Sequence, residues 1–265
     1  MKITFLGTGT SHGVPSIDCM IRGFAHCPKG VCRESADDPR HRRKRCSILI
    51  EKNGFVVLID VSADFRQQML AARVSRIDAV LITHPHADHI GGLPDIRSYT
   101  LEHSLPVYGS QETLTHIQTS FPYIFEPPVI RGGGIPRLTT HAVENPFQLG
   151  GLQIVPIPVV HGSLQQSLGY RIGPVAYIPD LKKLKPGSGE LLAGVRVLIL
   201  DSLRTHTAHQ THMILPESIE LARRIAPEKC YFTHLCHEIH YLHDARYLDA
   251  WMQFAWDGLC ITIND

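Results

Sequence analysis

Residues 84 to 89 read His-Pro-His-Ala-Asp-His. Three imidazoles and a carboxylate within six positions fit neither one face of a helix nor one face of a strand. On a loop just past a strand they can converge on a cation. The apolar run Asp78-Ala79-Val80-Leu81-Ile82 leads into them and Ile90-Gly91-Gly92-Leu93-Pro94 follows, so the motif falls where a buried strand feeds a tight turn. Neutral imidazole and carboxylate form a ligand set for zinc, and equally for manganese or iron. Three other apolar runs end on a candidate ligand: Ile157–Val160 on His161, Val175–Pro179 on Asp180, and Cys230–Thr233 on His234. Singly, each reads as a polar residue capping a strand. Together with His84, His86, Asp88 and His89 they make seven donors, enough to fill two metal centres.

The elements that must position these residues are legible in the hydrophobic pattern. Strands are expected at Lys2–Leu6, Ser47–Lys52, Phe55–Asp60, Ile77–Ile82, Pro106–Tyr108, Leu152–Val160, Ser167–Ile172, Val175–Ile178, Val195–Leu200, Lys229–Phe232 and Leu259–Ile263. Asn53-Gly54 between two of them signals a hairpin. Helices are expected at Ala63–Ala72, Gln111–Thr119, Pro216–Ile225 and Leu242–Phe254, and residues 126–151, rich in Gly and Pro, read as a long surface loop. Strands in both halves with helices interspersed imply an α/β protein of two sheets with helices outside. The chain shows no linker, so residues 1–265 read as one domain with a cysteine-containing insertion at about residues 16–45. Net charge is +1, with 26 Lys and Arg against 25 Asp and Glu, which offers no general pull on nucleic acid or a membrane surface. No apolar stretch is long enough for a transmembrane helix. Seven cysteines, an odd count in a chain with a full-sized core, suit reduced thiols in a cytoplasm better than a disulfide framework.

On these residues the chain resembles the metallo-β-lactamase superfamily over nearly its whole length. The resemblance implies a four-layer αβ/βα sandwich and a metal-dependent hydrolase. It also implies that His84, His86 and His161 hold one metal, that Asp88, His89 and His234 hold a second, and that Asp180 bridges them. Asp60, ending Val57-Leu58-Ile59-Asp60, matches the early aspartate that supports the metal loop, although Ser62 stands where many members have glycine. Two divalent ions about 3.5–4 Å apart lower the pKa of a shared water toward roughly 7 and neutralise charge on a phosphoryl group under attack. Members that open lactams often carry cysteine at the position of Asp180, so aspartate favours phosphoester chemistry.

Further segments resemble the cyclic phosphodiesterases of bacterial phosphonate breakdown and their relatives. These are Phe5–Ser11, Gly13-Val14-Pro15, Asp38-Pro39-Arg40 with the basic run to Arg45, and Leu58-Ile59-Asp60 followed by Asp64-Phe65-Arg66. That likeness implies a structural zinc held by Cys19, Cys27, Cys32 and His237, with Cys236 as an alternative ligand and three unrelated reduced cysteines as the plainer account. The spacing of these cysteines is wider than the compact cluster of the family. The likeness also implies that His212 is the general acid that protonates the departing alkoxide. His209 reads as a substrate contact or as polar surface, and His206 lies in the same loop. The run Arg40–Arg45 reads as a solvated loop whose arginines tie down the cysteine-rich segment, in preference to a phosphate-binding patch.

The function so implied is hydrolysis of a small, cyclic or linear, phosphodiester by a hydroxide activated between two zinc or manganese ions, with Asp88, Asp180 and His212 acting in catalysis. The implied partners are a small phosphodiester and a second copy of the chain in a homodimer, with neither membrane nor large nucleic acid. A tRNA 3′-processing nuclease shares the seven ligands but inserts an RNA-gripping arm between the third histidine and the bridging aspartate, where this chain has only eighteen residues. An iron-dependent oxidoreductase of the same superfamily is the other alternative.

Overall fold

The computed structural model describes residues 1–126 and 134–264. One sheet contains β1 (Lys2–Gly7), β2 (Ser47–Lys52), β3 (Phe55–Ile59), β4 (Ala79–Leu81), β5 (Leu105–Gly109), β6 (Leu138–Ala142) and, at its other edge, β15 (Cys260–Thr262). The other contains β7 (Phe147–Leu149), β8 (Leu152–Val160), β9 (Leu168–Ile172), β10 (Val175–Ile178), β11 (Lys183–Leu184), β12 (Val197–Asp201), β13 (Lys229–Thr233) and β14 (Met252–Phe254). The strand orders are β15-β1-β2-β3-β4-β5-β6 and β11-β8-β9-β10-β12-β13-β14, with β7 paired to β8. The helices are α1 (Ile17–Ile21), α2 (Val31–Glu34), α3 (Phe65–Ala72), α4 (Ala87–Ile90), α5 (Gln111–Ser120), α6 (Pro122–Phe125) and α7 (Leu215–Ile225).

Alternation along the strands divides the core into layers. Ile48 and Ile50 on β2, and Val57 and Ile59 on β3, meet Tyr170, Ile172, Val175, Tyr177, Val197 and Ile199 from the opposite sheet. Their neighbours Leu49, Val56 and Leu58 face outward and pack against Phe65 and Met69 of α3 and Leu114 and Ile117 of α5. On the other side Ala176, Ile178, Leu198 and Leu200 face Leu215, Ile219 and Ala222 of α7. A period of two therefore gives both faces of each sheet something to bury. The result is helix, sheet, sheet, helix: the four-layer αβ/βα arrangement that the family resemblance implied.

The Asn53-Gly54 hairpin forms, both residues having positive φ (51° and 79°), and joins antiparallel β2 and β3. Two sequence expectations are corrected. Leu242–Phe254 is not a helix; a 3₁₀ turn at Asp244–Tyr247 is followed by β14. Its apolar spacing imitates a helix, but parallel pairing of Met252 and Phe254 beside β13 prevails over local pattern. Residues 126–151 are not a continuous loop either: β6 and β7 lie within them, while 127–133 fall outside the described residues. β6 is a half-exposed edge strand with little apolar content, so sequence gives it no signal. The expected strands at 77–82 and 195–200 appear at Ala79–Leu81 and Val197–Asp201. No helix among the described residues is long and apolar enough to cross a membrane.

Candidate metal centre

Strand direction gathers the site. In one sheet β3 and β4 are parallel, and in the other β8, β10, β12 and β13 run the same way, since β8 and β10 are both antiparallel to β9 and β12 is parallel to both β10 and β13. Asp60, His84, His161, Asp180, Asp201 and His234 thus sit at or just past carboxyl ends, along one edge of the sandwich. His86 opens α4, and the Val61 N–H bonds to the His89 carbonyl at 2.8 Å, fastening that short helix to the end of β3. Asp60 and His234 both adopt left-handed backbone (φ 63° and 59°), a strained conformation for residues with side chains.

Two donor sets result. His84, His86, His161 and Asp180 form one, and Asp88, His89 and His234 form the other, the donor atoms within each set lying within 4.8 Å of one another. Asp180 spans them. Its Oδ2 is 3.7 Å from His84 Nε2 and 3.5 Å from His161 Nε2, whereas its Oδ1 is 3.3 Å from His89 Nε2 and 3.4 Å from His234 Nε2. Asp88 Oδ2 completes the second set at 3.3 Å from His89 Nε2 and 3.8 Å from His234 Nε2.

Outer partners decide which imidazole nitrogens are free. Thr83 gives its hydroxyl proton to Asp60, so its oxygen accepts from His84 Nδ1–H at 3.0 Å. His89 Nδ1–H donates to Asp60 Oδ2 at 2.7 Å, and His161 Nδ1–H to the Thr211 carbonyl at 3.1 Å. Each therefore turns an unprotonated Nε2 into the site. Those lone pairs face carboxylate oxygens, and His86 Nδ1 lies 2.9 Å from His84 Nε2 and 3.2 Å from His161 Nε2, where one Nδ1 proton can serve only one of the two. Buried His89 Nε2, Asp180 Oδ1 and both His234 nitrogens have no hydrogen-bond partner. Lone pairs and carboxylates crowded without donors repel, and divalent cations relieve that repulsion. The residues fit two metals. Burial pushes His84 well below the ordinary imidazole value, keeping it a neutral donor.

His212 stands beside this pair of sets, its ring stacked on His234 with centroids 4.6 Å apart. Its Nδ1–H donates to Asp201 Oδ2 at 3.0 Å and its Nε2 is 3.9 Å from Asp180 Oδ2. Burial disfavours charge there, yet Asp201, by charge and hydrogen bond, lifts its pKa to about 9. Asp201 is a site residue that the sequence reading missed. The signal was present, an apolar run ending on a carboxylate, but the strand was closed one residue early at Leu200. A cavity of about 230 Å³ opens beside His212, lined by Ser11, His12, Arg204, His209 and Glu238 among others. His209 thus lines a cavity instead of plain surface, and His206 packs near the Tyr247 ring away from it.

His237 also lines that cavity, and it forms a further set with Cys19, Cys27 and Cys32, the donor atoms lying within 4.8 Å of one another. Cys19 Sγ and Cys32 Sγ are 3.1 and 3.5 Å from His237 Nδ1. Backbone N–H groups of Cys32 and Ser16 point at the sulfurs of Cys27 and Cys32, as suits thiolates. Three thiols and an imidazole at this spacing fit a closed tetrahedral site. Cys236 is not among them; its sulfur accepts the Glu238 N–H instead. A third group, Glu34, His41 and His240, does not fit a cation. His240 Nδ1 accepts the N–H groups of Leu242 and His243, so its Nε2 keeps a proton and donates to Glu34 at 2.9 Å. The basic run is only partly solvated: Arg40 pairs with Asp38, Arg42 with the Ser35 carbonyl and Arg45 with Asp64, but Arg43 is fully buried.

The beta-lactamase superfamily domain matches residues 56–235. A protein of Porphyromonas gingivalis named octanoyltransferase is 35% identical over 100% of this chain, which spans 52% of that protein; the chain is thus about half the length of this relative. A solved diphosphatase from the PhnP family superimposes with a TM-score of 0.87 at 36% identity, covering 99% of this chain and 98% of the other. Zinc-bound PqqB from Methylobacterium extorquens shares the fold, with a TM-score of 0.76 at 19% identity over 99% of this chain and all of the other. The likeness to phosphonate-type relatives expected from sequence is borne out, and the chain belongs to the β-lactamase superfamily, with the fold of its metal-dependent hydrolases.

Proposed function

We propose that this chain is a dinuclear metal-dependent phosphodiesterase acting on small phosphodiesters, linear or cyclic. The carrying observation is that the two oxygens of Asp180 face two separate donor sets. Divalent zinc or manganese bound there would acidify a water and offset charge developing on phosphoryl oxygens. Asp180 holds the two sets at a fixed separation. Asp88 adds a second carboxylate to one side, which favours a hard divalent ion and orients His89 and His234. His212, aligned by Asp201, holds a proton at the cavity mouth and can deliver it to the leaving alkoxide. The likeness to a diphosphatase supports phosphoryl chemistry. The octanoyltransferase name belongs to a protein of which this chain matches half. The nuclease alternative finds no support between His161 and Asp180, where β9 and β10 occupy the interval and leave no room for an arm. All seven cysteines are unbridged, which favours a reducing compartment such as the cytoplasm.

Two variants of the metal-reconstituted protein test the assignment. Asp180→Ala is expected to lower bound metal at both sets and to cost at least ~100-fold in kcat. His212→Ala is expected to keep its metal but to slow alkyl phosphodiesters far more than aryl ones, whose leaving groups need no proton. Equal slowing of both substrates would remove His212 as the acid. A parent protein that turns over no phosphodiester while carrying iron would favour the oxidoreductase alternative.

A further inference from the structure

Arg43 is 1% exposed, and among the described residues no carboxylate sits in ion-pair contact with it. Its guanidinium donates to the carbonyls of Cys236 at 2.7 Å and Ile239 at 2.8 Å, and its Nε has no partner. A buried cation satisfied only by neutral carbonyls is costly. Burial draws its pKa down to about 10, which leaves it charged at neutral pH. Its backbone exchanges two 2.9 Å hydrogen bonds with Val14, which packs in one cluster with Cys19 and Cys32, and the two carbonyls it holds flank His237; the carboxylates that act on it are Asp257 and Asp244. Both carboxylates are already committed, Asp257 to Lys44 and Asp244 to Lys29. What remains unbalanced around Arg43 is therefore the sulfur side.

The Cys19–Cys27–Cys32–His237 set supplies the missing charge once it holds a divalent ion. Thiols bind as thiolates and release their protons, so three thiolates, a neutral imidazole and a divalent cation carry one net negative charge. One fixed positive charge, walled off from water, balances it. We infer that Arg43 is the buried counter-charge of this cysteine–histidine metal site. The inference rests on reading those four residues as a metal site, and it is independent of the substrate proposed above. Arg43 also brackets the turn that carries His237, so it is a positioning residue whose charge must be separated from its hydrogen bonds.

The test uses the full chain and zinc alone, measured by competition with a chromophoric chelator and by thermal unfolding of loaded and stripped protein. Cys32→Ser identifies which zinc equivalent belongs to the site. Arg43→Gln keeps an amide donor and removes the charge; it is expected to weaken that equivalent roughly tenfold or more, as a unit charge in a partly polarisable interior should. The stripped Arg43→Gln protein is expected to melt at or above the stripped parent, because an unbalanced buried charge is gone. Arg43→Lys, which keeps the charge and loses the fork, is expected to retain affinity within about threefold. Unchanged zinc affinity, with loaded and stripped Arg43→Gln destabilised equally, would reduce Arg43 to a bracket and overturn the inference. If Arg43→Gln does not accumulate, Arg43→Lys decides: a loss of about tenfold or more overturns it. A parent and a Cys32→Ser protein that bind the same number of zinc ions would overturn it through the site itself, and phosphodiester turnover in that parent would show the proposed activity still standing.

Discussion

Asp60 offers no ligand atom to either donor set, yet it governs one. Its carboxylate accepts from His89 Nδ1–H at 2.7 Å and from the Thr83 N–H at 2.8 Å, and Thr83 in turn fixes His84. Asp60→Asn replaces an acceptor with an amide that donates to His89 Nδ1, moving the ring proton to Nε2 and blocking it as a ligand. The expected outcome is a loss of about 10- to 100-fold in affinity for the metal of the Asp88–His89–His234 set, with the other set less affected, read by stepwise metal titration. Loss of equal size at both sets would contradict the tautomer argument. Most of these residues were legible because chemistry restricts them: imidazoles and carboxylates ending apolar runs have few other uses. Asp201 escaped because strand ends are uncertain by a residue or two. Arg43 escaped because its neighbours are basic and a run of charge reads as solvated, whereas only the tertiary packing buries it.

Among the elements, α4 is four residues long and has no stability of its own. It is held by close approach of Gly92 to the loop after β3: a Cβ at Gly92 would meet Ser62 O at 2.2 Å and Phe65 Cβ at 2.5 Å. Its φ of -88° suits alanine, so the objection is steric alone. Gly92→Ala is expected to cost about 2–3 kcal/mol, seen as a lower urea midpoint at unchanged slope. Gly189→Ala is the control, since a Cβ there meets nothing within 4 Å and φ is -64°; it is expected to stay within about 0.5 kcal/mol of the parent. A Gly92→Ala protein as stable as that control would refute the packing argument. Elements with clear periodicity were readable, as β8 and α7 show. Those made by pairing were not: β6 and β14 exist because a neighbouring strand offers them backbone partners, and no local pattern announces that.

For the molecule as a whole, two sheets sharing one apolar interlayer bring six strand ends to one edge, and that shared layer is what holds the donor sets in register. Opposite charges nearly cancel over the surface, so stability against pH depends on a few buried groups. Asp257 is one. Burial pushes its carboxyl up to about 6, against opposing help from the Lys44 N–H, the Lys44 charge and Thr8. Its folded value lies above the unfolded one, so its contribution is fully present below about pH 4 and is lost as pH rises through about 6. The unfolding free energy of the parent minus that of Asp257→Asn is expected to fall by about 2–3 kcal/mol between pH 4 and 7. A difference that stays flat would place Asp257 in a solvated setting.

One detail of the first sheet reaches further. β15 lies beside β1, and the Met1 ammonium donates to the Ile263 carbonyl at 2.8 Å. The order of segments along the polymer is therefore separable from their arrangement in space. A few residues linking 264 back to 1, with fresh ends opened at the exposed Asn53-Gly54 turn, would give a circular permutant that rebuilds the same edge of converging strand ends.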